Sequence, residues 1–97
     1  MLIIAASGQI KEGRRGFVIQ HLLQLQAASR TEVGCLTYRF YNQVDDPDKI
    51  FLYEEWESPE AHAAHRETEH FKLFSENLPD WITDWTVKRL TAQEGTS

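Results

Sequence analysis

CLTYRFYN (residues 35–42) and KIFLYEEWE (residues 49–57) each read as a β-strand with apolar side chains on both faces, and that reading decides the fold. In the first, Leu36, Tyr38 and Phe40 point one way and Cys35, Thr37 and Tyr41 the other; in the second, Ile50, Leu52 and Trp56 oppose Phe51 and Tyr53. The turn-forming run Asp45-Asp46-Pro47-Asp48 between them predicts an antiparallel hairpin. Neither face suits water, so this sheet needs a cover on both sides.

Upstream, Leu2 to Ile10 is rich in β-branched and small residues and stops at Lys11-Glu12-Gly13, a first strand. From about Gly13 to Arg30, Phe17, Val18, Leu22, Leu25 and Ala28 share one helical face. Ile19 and Leu23 lie on its flank, as an oligomer contact or as a widened core stripe. Downstream, Ser58-Pro59 is a helix start, and a short helix follows to about Glu67. Thr68 caps a second piece carrying Phe71, Phe74 and Leu78, which Pro79 is expected to end. Trp85, Val87 and Arg89 then alternate with Thr86, Lys88 and Leu90 as a fourth strand. Residues 1–92 are read as a single domain and residues 93–97 as a polar C-terminal tail.

The order β-α-β-β-α-β, with the second helix broken, is that of a ferredoxin-like α+β fold: a four-stranded antiparallel sheet with helices on one face. Those helices cover one side only. A second copy of the same sheet is the economical cover for the other, so a homodimer through the sheet face is expected.

Composition narrows the chemistry. The chain has 97 residues and a formal net charge of −5, and its ten Lys and Arg are scattered, so no basic stripe is present to neutralise nucleic-acid phosphates. Leu2 to Ala6 is too short to span a bilayer and lacks the basic flank of a signal peptide, which predicts a cytoplasmic protein without membrane contact. The single cysteine, Cys35, reads as a core residue. Glycine-rich phosphate loops, nucleophile elbows and dinucleotide fingerprints are missing, which counts against hydrolase and nucleotide chemistry.

Three of the four histidines fall in one segment. His62 and His65 are neighbours on the short helix, and His70 begins the next. With Glu69 they could supply metal ligands, but their spacing matches no dedicated zinc motif, and no metal is expected. His21, alone on an apolar helix face, reads as a satisfied core histidine. Glu54 shares a strand face with Leu52 and Trp56. If the helices cover that face it is a buried carboxylate, either a base of raised pKa or a hydrogen-bonded anchor. Trp56 is a core or pocket-wall residue, and Trp81 and Trp85 pack in the core or at the dimer seam.

The stretch EVGCLTYRFY (residues 32–41), then FLYEEWESPEAHAAH (51–65) and TEHFKLF (68–74), resembles the antibiotic biosynthesis monooxygenase family, whose members are dimeric α+β-barrel proteins. The resemblance implies a pocket between the sheet and the helices of each subunit. It also implies oxygenation of a small phenol or quinol by O2 without metal, flavin or other cofactor, for which the protein supplies a base and a dry site. By resemblance His65 and His70 are the catalytic candidates, and Glu54, Trp56, His62, Phe71 and Phe74 the substrate pocket. Leu52 stands where polyketide oxygenases of this type carry asparagine, and His62 where they carry tyrosine, which counts against anthrone-like substrates. The tryptophan and haem-ligating histidine of haem-degrading relatives are missing. Two alternatives stay open: a non-catalytic small-molecule-binding dimer, and an isomerase of a phosphorylated signalling sugar, which would need an anion subsite, for example near Arg39 or Arg66.

Overall fold

A computed structural model describes residues 1–93 and Gly95. The chain forms β1 (Leu2–Ile10), α1 (Arg15–Ser29), β2 (Cys35–Gln43), β3 (Asp46–Trp56), α2 (Pro59–Arg66), α3 (Glu69–Trp81) and β4 (Ile82–Thr91). All strand pairs are antiparallel, in the order β2-β3-β1-β4. This is the expected ferredoxin-like α+β fold, with the broken helix resolved as α2 and α3. Of the expected tail, positions 94, 96 and 97 lie outside the described residues.

Strand alternation sorts the side chains cleanly. Ile4, Ala6, Tyr38, Ile50, Leu52, Glu54 and Trp56 face the helices and are buried with Val18, Leu22 and Leu25 of α1 and Phe74 and Trp81 of α3. On the opposite face, Ile3 pairs with Glu55 and Leu90, Ala5 with Tyr53, and Tyr41 with Phe51. Among the described residues, no helix packs there. Tyr41 and Phe51 stack at 6.3 Å between ring centroids, and Tyr41, Phe51 and Leu90 are exposed.

Several boundaries differ from the pattern read in sequence. The hairpin turn is only Val44-Asp45, because Asp46 and Pro47 already extend β3; Asn42 Nδ2 donates to the Pro47 carbonyl at 2.7 Å. A register shift between Cys35 and Thr37 breaks the alternation of β2, so Leu36 is exposed while Cys35 packs on the core opposite Trp56. Pro79 does not end α3, which continues to Trp81. The lost N–H bond and the crowding of the preceding turn are offset by the burial of Trp81 in the core. Phe17, expected in the core stripe, is exposed beneath the Arg14 guanidinium; Ile19 joins the core and Leu23 does not. Trp81 is buried in the core, and Trp85 is half-buried beside Phe74. His21 is half-buried, with Nδ1 bonded to the Phe17 carbonyl and its ring on Trp81.

Two glycines set distances that matter for the site. A Cβ on Gly8 would lie 2.5 Å from Ile82 Cγ2 and 3.0 Å from Trp85 Cε3, so its absence lets β4 bulge at Asp84 (φ 56°) and turn Trp85 inward. Gly34 has φ +86° and sits where a Cβ would be 2.6 Å from Ala61 Cβ. Its carbonyl accepts the Glu57 amide at 2.8 Å, and this contact draws the loop bearing Glu32 against α2.

Candidate active site

Strand β3 and the two short helices carry the polar residues, and local sequence fixes how they point. Ser58 Oγ accepts the Ala61 amide and caps α2, and Thr68 Oγ1 accepts the Phe71 amide and caps α3. Three-residue spacing on α2 stacks His62 and His65 with ring centroids 5.9 Å apart. Trp56, fully buried, lies beneath both rings, at 5.8 Å from His62 and 4.7 Å from His65.

Between the sheet and α2–α3 is a cavity of about 260 Å³. Its walls are mainly apolar, with Ile4, Ala6 and Leu52 on the sheet, Phe71, Phe74 and Leu78 on α3, and Trp85 and Val87 on β4. Glu54, His62, Arg66 and Arg89 also line it.

Glu54 is 4% exposed, and Oε1 accepts a 2.7 Å hydrogen bond from Trp56 Nε1. Burial pushes its carboxyl up to about 7, against the opposing pull of the Trp56 hydrogen bond. His62 Nε2 is 4.0 Å from Glu54 Oε1, too far for a hydrogen bond. Arg89 Nη1 lies 3.2 Å from His62 Nδ1, and because arginine only donates, Nδ1 must accept and the His62 proton sits on Nε2, the nitrogen nearer Glu54. Burial first, then Arg89, lowers His62 to about 4, so it is a neutral N–H donor at physiological pH.

A second cluster lies outside that cavity. Glu32 Oε2 accepts from His65 Nδ1 and from His70 Nε2, each at 2.7 Å. Burial lowers the basicity of His65, which is 1% exposed and packed between Trp56, Tyr38 and Phe71. The three ligand atoms lie within 4.8 Å of one another, a donor set able to approach a divalent ion. At 2.7 Å they close on each other more tightly than ligands about 3.3 Å apart around one tetrahedral zinc. Their arrangement is that of a hydrogen-bonded network.

Sequence reading brought these residues into one neighbourhood but did not divide them this way. Glu54, His62, Phe71 and Phe74 line the cavity, whereas Trp56 supports it from below without lining it. His65 and His70 do not line it; they face Glu32. The carboxylate completing the histidine cluster is Glu32 rather than Glu69, because the left-handed turn at Gly34 returns it to α2 from 33 residues away in sequence. Arg66 lines the cavity and Arg39 does not. Arg89 was missed, although its place on the Trp85 face of β4 was readable from alternation. Cys35 is half-buried, with its thiol pushed up to about 11 by burial and by the Glu32 and Glu54 carboxylates, an unreactive thiol.

A four-stranded antiparallel sheet covered on one face by helices, with a cavity between them, defines the class as a small ferredoxin-like α+β protein. Within that class the chain belongs to the antibiotic biosynthesis monooxygenase family, whose sequence pattern matches residues 1–77. It is similar to the uncharacterised protein sll1783 of Synechocystis, at 27% identity over 81 residues; these are 84% of this chain and 55% of that protein, so the chain spans about half of it. Among solved structures it resembles an antibiotic biosynthesis monooxygenase with 28% identity and TM-score 0.88, covering 97% of this chain and 100% of that one. PA3566 of Pseudomonas aeruginosa gives 27% identity and TM-score 0.87, with 96% and 94% covered. Among the described residues, no helix is long and apolar enough to cross a membrane.

Proposed function

We propose that this protein is a cofactor-independent monooxygenase of a small phenol or quinol, with Glu54 as the base. The observation that carries this reading is a buried carboxyl, raised to about 7, opening on an apolar cavity beside a neutral histidine N–H. Glu54 takes the ring hydroxyl proton, and His62 Nε2–H donates to the resulting oxyanion. The electron-rich ring reduces O2: a quinol gives a hydroxyquinone as one oxygen atom bonds to carbon and the other leaves as water. The substrate supplies all four electrons, and Glu54 returns its proton to the departing oxygen. In this reading His65 and His70 are positioning residues, which hold Trp56 and through it Glu54.

Oxygen uptake with hydroquinone in chelator-treated buffer tests the proposal. Glu54→Gln should lower the rate on the order of 100-fold or more; uptake at the wild-type rate would remove Glu54 as the base.

The working unit in this proposal is a homodimer through the sheet face that carries Tyr41, Phe51 and Leu90. Phe51→Asp should convert a dimer to a monomer in sedimentation. A wild-type chain sedimenting as a monomer at micromolar concentration would end this part of the reading.

A further inference from the structure

We propose that the cavity takes an aromatic ligand bearing an anionic substituent, a carboxylate or a phosphate, which Arg66 and Arg89 hold at its polar end; this rests on the reading of the cavity as the substrate site. Two of the chain's ten basic residues line this one cavity, in a protein of net charge −5. Both lie close enough to His62 for their charges to depress its basicity, so they share its end of the cavity. Among the described residues neither is paired with a carboxylate: Arg89 donates to His62, and Arg66 has no hydrogen-bond or ion-pair partner. Arg15 and Arg39 also lack such a partner, but neither lines the cavity. The distinctive feature is therefore location.

Glu54, the one acidic residue on these walls, is the group that burial drives toward its neutral form. The polar end thus carries a net positive field, while Phe71, Phe74 and Trp85 surround the rest with aromatic surface. A planar guanidinium binds carboxylate or phosphate in two parallel hydrogen bonds, which also fixes the orientation of the attached ring. An anion anchored on Arg66 and Arg89 sets a hydroxyl elsewhere on the ring within range of Glu54 and His62.

Calorimetric titration with hydroquinone, 2,5-dihydroxybenzoate and 4-hydroxyphenyl phosphate separates the terms. The charged ligands should bind at least about tenfold tighter than hydroquinone. The tighter of the two identifies the anion, and added salt should reduce the advantage. In the doubly substituted Arg66→Gln, Arg89→Gln protein the ratio of charged to neutral affinity should fall below about threefold. Both arginines are exposed, so the fold should survive, and a melting curve checks it. Equal binding of all three ligands, an advantage that persists in the double variant, or no binding at all overturns the subsite. Oxygen uptake measured on the same samples keeps the readings apart. Tight charged binding without uptake upholds the subsite and defeats the monooxygenase, whereas hydroquinone uptake without a charge advantage does the reverse.

Discussion

The two carboxylate–histidine clusters beside Trp56 are built from the same kinds of side chain and differ in saturation. Glu32 accepts from His65 and His70 at 2.7 Å each, with both donors held by aromatic packing. Glu54 receives one 2.7 Å bond from Trp56, stops 4.0 Å short of His62 Nε2, and faces the cavity. A carboxylate whose donors are already in place has its acceptor capacity taken up within the fold. One that is buried and under-supplied is raised in pKa and can exchange a proton with a ligand. In the proposed reading, similar residue types therefore give a brace at Glu32 and a base at Glu54.

Swapping each acid for its amide should break the symmetry most sharply. Glu54→Gln removes a group whose ionised form burial penalises, so the protein should melt higher above neutral pH while losing on the order of 100-fold or more in oxygen uptake. Glu32→Gln can keep one oxygen on both histidines but replaces a carboxylate acceptor by a neutral amide, which weakens both bonds and costs about 1–3 kcal/mol. For a domain of this size each kcal/mol is roughly 4–8 °C in melting temperature. Activity should fall far less there than in Glu54→Gln. Matching losses of activity in the two variants would show that the clusters act as one.

The pH dependence separates the same groups. Glu54 has a folded pKa of about 7 against an ordinary 4.5, so between these values the folded state holds more protons than the unfolded chain. Stability should decline as pH rises from 4.5 to 7, on the order of 3 kcal/mol from this group alone. His62 has the opposite sense: it stays neutral down to about 4 against an ordinary 6.5, so its contribution is lost as pH falls through that window. Activity that needs ionised Glu54 should rise with pH through about 7. Glu54→Gln should abolish the decline toward neutral pH and keep the acid limb, read from melting temperatures across the range.

Much of the fold was legible because the period-2 pattern of β2 and β3 and the caps at Ser58 and Thr68 are local signals, each confined to a few residues. The bulge at Leu36 and the continuation of α3 past Pro79 were not, since tertiary packing decides both. For the site, alternation placed Glu54 with Trp56, and helical spacing placed His62 with His65. What sequence could not reveal was which carboxylate meets which histidine, because the Glu32 contacts span 33 and 38 residues and depend on a left-handed Gly34. The division into a closed and an open cluster is a fact of the third dimension, and so is the placing of His65 and His70 against Glu32 instead of the cavity.

His70 gives the smallest and most selective test of that division. Its side chain is 27% exposed, whereas that of His65 is 1% exposed, although both donate to the same oxygen at the same distance. Replacing His70 by alanine leaves Glu32 with His65 and with water able to enter from the exposed side, so the cost should be about 1 kcal/mol. His65→Ala should cost more, since it also opens a cavity beneath Trp56 and Tyr38 and frees the indole that holds Glu54. Its effect on oxygen uptake should therefore run through a displaced Glu54 and show as a shifted pH midpoint, whereas His70→Ala should leave the midpoint in place. A shift in His70→Ala as large as that in His65→Ala would place His70 in the proton-transfer path instead of the brace.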